Sequence, residues 1–397
     1  MIDALAWFAA RTRKSSTRVL IALLFALPVL KGLVNRITEG GGGFLDDFEA
    51  VQCAGRLAAE DAPFYGSEAL CADIPGHTTF VYAPWAAHGA GAIMQAIGEL
   101  GFVAGYVALY VLALGFLAYQ VFLNREAPGR PLERVLFLGL ITGSAVVLGN
   151  VAIVLHALVL LGALMVTGSV LPLAIALGIA GAFKPVLLTF GAVFLLAPIS
   201  WPRRIVGGVL AVGLAAAPWV WSYQTGGPEW DAWMEITRFM AVERAPGDGF
   251  WGWLAVFGVQ GTDTGALVGY LGYALVLTLA GWAVAARAGL SARERVWMGL
   301  ALGTLLIPRL MAIDVYLLAP GMLAVVIAAR AAAPGVFRAV SWLVVGGCFL
   351  GLLFDLVDLG DFSLKTALLA FVLAFLVTAV GVMRRTTNPA ATANIAS

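Results

Sequence analysis

Five carboxylates, Asp46, Asp47, Glu49, Glu60 and Asp61, fall within LDDFEAVQCAGRLAAEDAPFY (45–65), in a chain that is otherwise greasy. A carboxylate in hydrogen-bond reach of a hydroxyl can take its proton and make it a nucleophile. It can also do no more than cap a helix. Phe48, Val51, Cys53-Ala54 and Leu57-Ala58 recur at spacings of three to four, which predicts an amphipathic helix lying at a membrane surface. The glycine run 40–43 lets the backbone turn off the apolar segment before it. Asp46 and Asp47 then fall at the helix N-terminus, where the macrodipole favours negative charge, and both roles stay open for them.

Groups able to meet an anion are scarcer. Lys184 ends an apolar run in AFKPVL, and Pro185 breaks the helix beside it. An unpaired ammonium near mid-membrane costs about 2.5–3.5 kcal/mol on insertion scales. Lys184 is therefore expected either to snorkel to the interface or to contact a phosphate or a sugar. Arg309, in IPRLMAIDVY, also stands at a helix end. Its planar fork suits a phosphate, and the alternative is a salt bridge to Asp314. Arg244 and Arg56 are expected to be solvated, with phosphate contact as the alternative.

Other polar and aromatic residues have two readings as well. His88 lies near the start of the second apolar run, where phosphate binding is conceivable; His88 and His77 otherwise hold structure. His156 has no charged neighbour in its apolar run and is expected in the core. Glu99, inside the second span, should face protein or water. Asn150 is expected to hydrogen-bond between helices. Trp230, Trp233, Trp251 and Trp253 either stack on sugars or anchor at the interface. Pro84, in Tyr82-Ala-Pro84-Trp85, is placed to start a helix.

These residues are carried by a membrane chain. Of 397 residues 61% are hydrophobic and 12% charged, against roughly 25% charged in soluble domains, and the mean hydropathy is +0.94. Twelve apolar spans are expected, at about 18–36, 90–121, 134–149, 150–166, 169–182, 185–199, 204–222, 264–286, 295–308, 314–330, 338–355 and 362–383. The third to sixth are short, which predicts broken or tilted helices. The N-terminal apolar run lacks a small-residue cleavage site and reads as a retained first span. With the N-terminus cytoplasmic, sixteen of the 24 bases fall in inside loops, including Arg384-Arg385, so both termini are cytoplasmic. Only Asp3, Glu126, Glu133 and Glu294 of the 23 acids join them. The outer face is thus acidic, with its largest loops at 37–89 and 223–263. Residues 386–397 read as a disordered tail. Net charge is +1, and there is no Walker loop, CxxC pair or HExxH, so nucleic acid is not an expected partner. Cys53 and Cys71 share the first outer loop, where an oxidising compartment permits a disulfide. Closing a loop of about 18 residues would contribute roughly 3 kcal/mol; two buried free thiols are the alternative.

Several motifs occur in a telling order. An Asp-Phe pair (Asp47-Phe48) opens a helix after the first span, followed by Pro63 and Tyr65, then Phe80, Tyr82 and Pro84. LGNVAIVLHALVLLG (148–162), GIAGAFKPVLLTFGAVFLL (178–196) and LIPRLMAIDVYLLAPGML (306–323) come next. Over residues 18–330 this order resembles the membrane glycosyltransferases of the C-type (GT-C) fold. It is similar in particular to glycosyltransferase family 87, the polyprenyl-phosphate-mannose-dependent alpha-mannosyltransferases. This chain has Leu148-Gly149-Asn150 where the family commonly has Gly-Gln before the asparagine helix, and APGDGFWGW (245–253) stands near its Asn-Gln-Ser loop.

The resemblance implies an all-α, single-domain polytopic fold (1–397), with short amphipathic helices in the first outer loop. It also implies an inverting transfer of a sugar, mannose first and arabinofuranose second. The donor would be a polyprenyl phosphate, the acceptor a hydroxyl on a lipid or envelope glycan, and the site the periplasmic face of a bacterial inner membrane. Asp47 is then the base, with Asp46 as its fallback. Lys184, Arg309, His88 and Arg244 are donor or phosphate contacts, and Tyr82, Trp85, Asp314 and Tyr316 line the substrate. A monophosphate leaving group can be met by Lys and Arg alone, so no metal or other cofactor is expected. A secondary transporter and a non-catalytic envelope-assembly protein are the alternatives.

Overall fold

The computed structural model describes residues 14–38, 44–66, 71, 74, 79–240, 246–261, 263–357 and 359–387. All regular elements among them are helical. The glycine run 40–43, His77, Arg244 and the residues after Thr387 lie outside that set. The last helix continues to Thr387, two residues into the expected tail.

In chain order the helices are α1 (Ser15–Thr38), α2 (Asp46–Ala59), α3 (Pro84–Ile97), α4 (Glu99–Ala118), α5 (Pro131–Val135), α6 (Gly143–Val147), α7 (Val151–Met165), α8 (Leu171–Phe183) and α9 (Ala192–Leu196). There follow α10 (Trp201–Thr225), α11 (Pro228–Arg238), α12 (Phe250–Val256), α13 (Thr264–Arg287), α14 (Ala292–Leu305), α15 (Leu318–Ala332), α16 (Pro334–Leu356) and α17 (Gly360–Thr387). A π segment, Tyr119–Leu123, prolongs α4, and 3-10 segments at Leu136–Leu140, Pro185–Gly191 and Ala312–Leu317 precede α6, α9 and α15.

Among the described residues seven helices are long and apolar enough to cross a membrane: Ser16–Asn35, Glu99–Leu123, Trp201–Thr225, Thr264–Arg287, Ala312–Ala332, Pro334–Leu356 and Gly360–Arg385. The protein is therefore a polytopic, all-helical membrane protein. The other five expected spans are short or interrupted. The third and sixth each contain a 3-10 stretch, and α7, α8 and α14 have 15, 13 and 14 residues. The second span also starts later than expected. The helix breaks at Gly98, and Glu99 sits in the first turn of α4 instead of inside a span.

Helices α4, α10 and α13 leave Leu109, Val111, Leu112, Val209, Val212, Leu271 and Leu275 exposed, as lipid-facing helices do. Helix α15 is enclosed: Leu318, Met322, Val325 and Ala328 belong to the main buried core with Trp297 and Phe190. A second, smaller core holds the lobe formed by α2, α3 and the segments between them. Ala54, Ala58, Phe64, Phe80, Tyr82, Ala86 and Ala87 are buried together, and Val151 and Phe183 of the main body pack on them. The lobe thus rests on the starts and ends of α7 and α8.

Charged groups separate to the two ends of the bundle. At one end Arg293 pairs with Glu126, Arg385 donates to the Ala331 carbonyl, and Arg134 donates to the carbonyls of Val121 and Asn124. Arg203 and Arg204 meet carbonyls of residues 167, 168, 195, 197 and 199 at the same ends of their helices. The other end carries the lobe, α11 and α12.

Candidate functional site

Helix α2 begins at Asp46 against an unusual partner. The residue before it, Leu45, has φ 76° and takes the N-cap position without a side-chain cap bond, so Asp46 and Asp47 are the first two residues of the helix. The backbone N–H groups of Leu45 and Asp47 donate to the carbonyls of Val147 and Leu148, each at 2.9 Å. These carbonyls belong to the break between α6 and α7. In an apolar setting such a break must have its polar groups satisfied within the protein. Three tyrosines help: Tyr106 donates to Gly149, Tyr110 to Val146 at 2.9 Å, and the Tyr316 hydroxyl approaches Ala145 at 3.5 Å.

Gly149 is required at this contact. Its φ is 65°, and a Cβ there would lie 2.7 Å from Leu45 Cδ2 and 3.0 Å from Leu45 Cα. Next to it, Asn150 does two things at once. Its Oδ1 accepts from the Ala152 N–H at 2.9 Å, capping α7, while its Nδ2 donates to Asp47 Oδ2 at 2.7 Å. Asp47 is half-buried and Asp46 buried. Phe48 stacks on Tyr106 with centroids 3.8 Å apart, which fixes the helix rotation that aims Asp47 at Asn150. An asparagine opening an apolar run is a cap signal; its second partner, 103 residues away, has no trace in sequence.

A second cluster forms where two other helices break. Lys184, extended between α8 and the 3-10 segment, donates to Asp314 Oδ1 at 2.6 Å. Asp314 is fully buried, and its Oδ2 accepts the Met311 N–H at 3.1 Å. His156 Nε2, also fully buried, lies 3.8 Å from the same Oδ1. Lys184 is neither a snorkelling surface group nor alone, and His156 is not an isolated core histidine, as its apolar neighbours suggest. The ion pair expected between Arg309 and Asp314 is formed by Lys184 instead. Arg309 still lies within the field of Asp314: burial lowers its guanidinium pKa from the ordinary value, and Asp314 opposes this.

Tyr82 connects the two clusters. Burial first, then Asp47 and Asp314, hold its hydroxyl proton far above the usual phenol range. Tyr82 therefore stays neutral. Its ring packs edge-on to Phe183, 6.2 Å away, and Trp85 meets the same ring at 4.4 Å. Asp314 and Tyr316, expected to line the substrate, are buried.

The Arg309 turn is itself gripped. The N–H groups of Asp248 and Trp251 donate to the carbonyls of Leu310 (2.7 Å) and Pro308 (3.1 Å), and Lys365 of α17 pairs with Asp248 at 3.2 Å. Burial raises the Asp248 pKa, and Lys365 opposes that rise.

Other expected site residues fall elsewhere. His88 pairs with Glu229 of α11 at 2.9 Å, on the exposed side of the lobe. Arg56 is not simply solvated: it pairs with Glu99, which also accepts from Gln52 at 2.6 Å. The four tryptophans do not form one group. Trp233 is buried and donates to the Val81 carbonyl, with Trp230 4.9 Å away, while Trp253 donates to the Lys365 carbonyl. Cys53 and Cys71 form a disulfide, tying α2 to the segment after Tyr65. Compared with protein-family models, curated proteins and solved structures, the chain matches none.

Proposed function

We propose that this protein is an inverting glycosyltransferase of the C-type membrane fold, moving a sugar from a polyprenyl phosphate to an acceptor hydroxyl on a lipid or envelope glycan. The observation that carries the reading is a pair of unlike clusters built at helix breaks: the carboxylate Asp47, oriented by Asn150, and the Lys184–Asp314 pair, next to which Phe183 packs on Tyr82 and Arg309 lies in the field of Asp314. In this reading the acceptor oxygen attacks the anomeric carbon and its proton passes to Asp47. The bond from that carbon to the phosphate oxygen breaks, and its electron pair leaves with the lipid phosphate, whose charge Lys184 and Arg309 receive. A single carboxylate suffices for such a displacement. Mannose is the first sugar to test and arabinofuranose the second. The positive-inside rule sets the arginine end in the cytoplasm and the lobe in the periplasm of a bacterial inner membrane, with the interrupted segments completing twelve passes.

The test is transfer by the purified protein from polyprenyl-phosphate mannose, then from the arabinofuranose donor. Asp47→Asn is expected to lose about 10²–10⁴-fold in rate, the usual contribution of a general base, with its melting temperature unchanged. Full transfer by that variant overturns the assignment. A second reading, an ion-coupled transporter, is favoured by one observation: interrupted helices carrying the buried Asp314, Lys184 and His156. Solute uptake by proteoliposomes without sugar transfer would select it.

A further inference from the structure

The Asp314 cluster holds one group that the transfer chemistry leaves idle. His156 is 0% exposed, and neither ring nitrogen has a hydrogen-bond partner of normal geometry. The ring is pinned by packing, edge-on to Phe190 with centroids 5.6 Å apart. Burying a polar ring that has only a weak contact with the Ala152 backbone is costly, so the position asks for a reason. Its Nε2 faces Asp314 Oδ1 at 3.8 Å, one short displacement from a hydrogen bond, while Lys184 holds that same oxygen at 2.6 Å.

The two neighbours of Asp314 differ in their freedom. Lys184 is 19% exposed and sits on a flexible stem at a helix break, so its ammonium can move to another anion. Asp314 is 0% exposed and fixed by the Met311 N–H; it cannot follow. When Lys184 leaves, a buried carboxylate loses its counter-charge, and that state is strongly unfavourable. The charged and titratable groups around the pair are Lys184, Arg309, Tyr82 and His156. Tyr82 stays neutral, and Arg309, on a turn whose carbonyls accept from the N–H groups of Asp248 and Trp251, is the other cation offered to the donor in the reading above. His156 is left to supply the missing charge.

We infer that His156 and Asp314 form a buried proton-binding site, filled when Lys184 leaves Asp314 to hold an anionic headgroup. The inference rests on Lys184 being a ligand of the donor phosphate. The exchange balances. The Lys184 ammonium moves from Asp314 to a phosphate oxygen, one proton enters from water onto His156, and the imidazolium takes its place at Asp314 Oδ1. Binding of the lipid phosphate is thereby coupled to uptake of one proton, and by reciprocity a lower pH strengthens binding. Release of the lipid phosphate returns both the proton and the lysine.

The experiment is calorimetric titration of the detergent-purified full chain with undecaprenyl monophosphate, in buffers of different ionisation enthalpy, for the native protein and for His156→Leu. Ionisation of the phosphate itself occurs in both and cancels in the difference. The native protein is expected to take up about one proton more per lipid than the variant. Its affinity should therefore weaken up to about tenfold more per pH unit as pH rises, the slope of one linked proton. His156→Gln and Asp314→Asn provide further arms, each checked for a native melting temperature, and both should lose the uptake. Equal proton counts with binding intact overturn the proton site and leave the transferase reading standing. Absence of undecaprenyl monophosphate binding by the native protein overturns both.

Discussion

Asp47 and Asn150 form one unit: the asparagine caps α7 with its oxygen and holds the carboxylate with its nitrogen. Asn150→Ala should therefore act twice. Loss of the cap should cost about 1 kcal/mol in stability. Loss of orientation should lower the transfer rate by up to about 10²-fold, as small misplacements of reacting groups do. Steady-state kinetics and a melting curve separate the two effects, and a variant with native kinetics would remove Asn150 from the site. The Lys184–Asp314 pair makes a contrasting case. Lys184→Met removes the counter-charge of a buried carboxylate and should cost up to about 3–5 kcal/mol, with a smaller loss at low pH, where His156 can take a proton and face Asp314. The double variant Lys184→Met/Asp314→Asn keeps the acceptor for the Met311 N–H and removes the orphaned charge. It should recover most of that stability, and equal losses in single and double variants would show that the pair does not stabilise the bundle.

At the scale of elements, the site exists because helices stop short at the junctions between spans. The breaks at 148–150, 184–191 and 306–317 bring Asn150, Lys184 and Asp314 to one end of the bundle, and α2 docks on the first of them. Gly149 is the hinge of that docking. Gly149→Ala places a methyl against Leu45 in a left-handed backbone, a strain of about 1–3 kcal/mol. The expected outcome is a lowered melting temperature with a larger loss of activity, since Asp47 shifts with α2. The disulfide acts on the same lobe. Its loop spans 18 residues, for which the chain-entropy model gives about 3 kcal/mol. Cys53→Ser/Cys71→Ser and reduction of the native protein should lower the melting temperature by the same amount, and reduction should not affect the double variant. A reductant effect on the double variant would place the sensitivity elsewhere, since Cys348 is buried.

For the whole molecule, the partition of charge predicts a direction. Arg125, Arg203, Arg293, Arg330 and Arg385 gather at one end, while Asp231 and Glu235 on α11 stand exposed at the other. A membrane-impermeant maleimide on intact cells should label Glu235→Cys and spare Arg384→Cys. The reverse pattern would put the candidate site on the cytoplasmic side and remove the periplasmic reading.

Composition and periodicity by themselves determined that the chain is a helical membrane protein, that the 45–65 segment carries an amphipathic helix, and that 134–199 is built of short pieces. These properties are local: they depend on burying one face or crossing one bilayer. Sequence also pointed to Lys184 as an unusual charge, because a charge in or beside an apolar run is expensive wherever the fold puts it, while only the family resemblance set Asp47 apart from Asp46. Only tertiary structure decided their partners. Asn150 meets Asp47 across 103 residues and Lys184 meets Asp314 across 130, while Arg309, the nearer candidate for Asp314, does not form the pair. His156 is the plainest case: its neighbours in sequence are all apolar, and only the packing of α7 against the 3-10 turn at Ala312–Leu317 sets an acid beside it. Partner choice between distant charges follows from where helices break and cross, and no spacing within one helix records that.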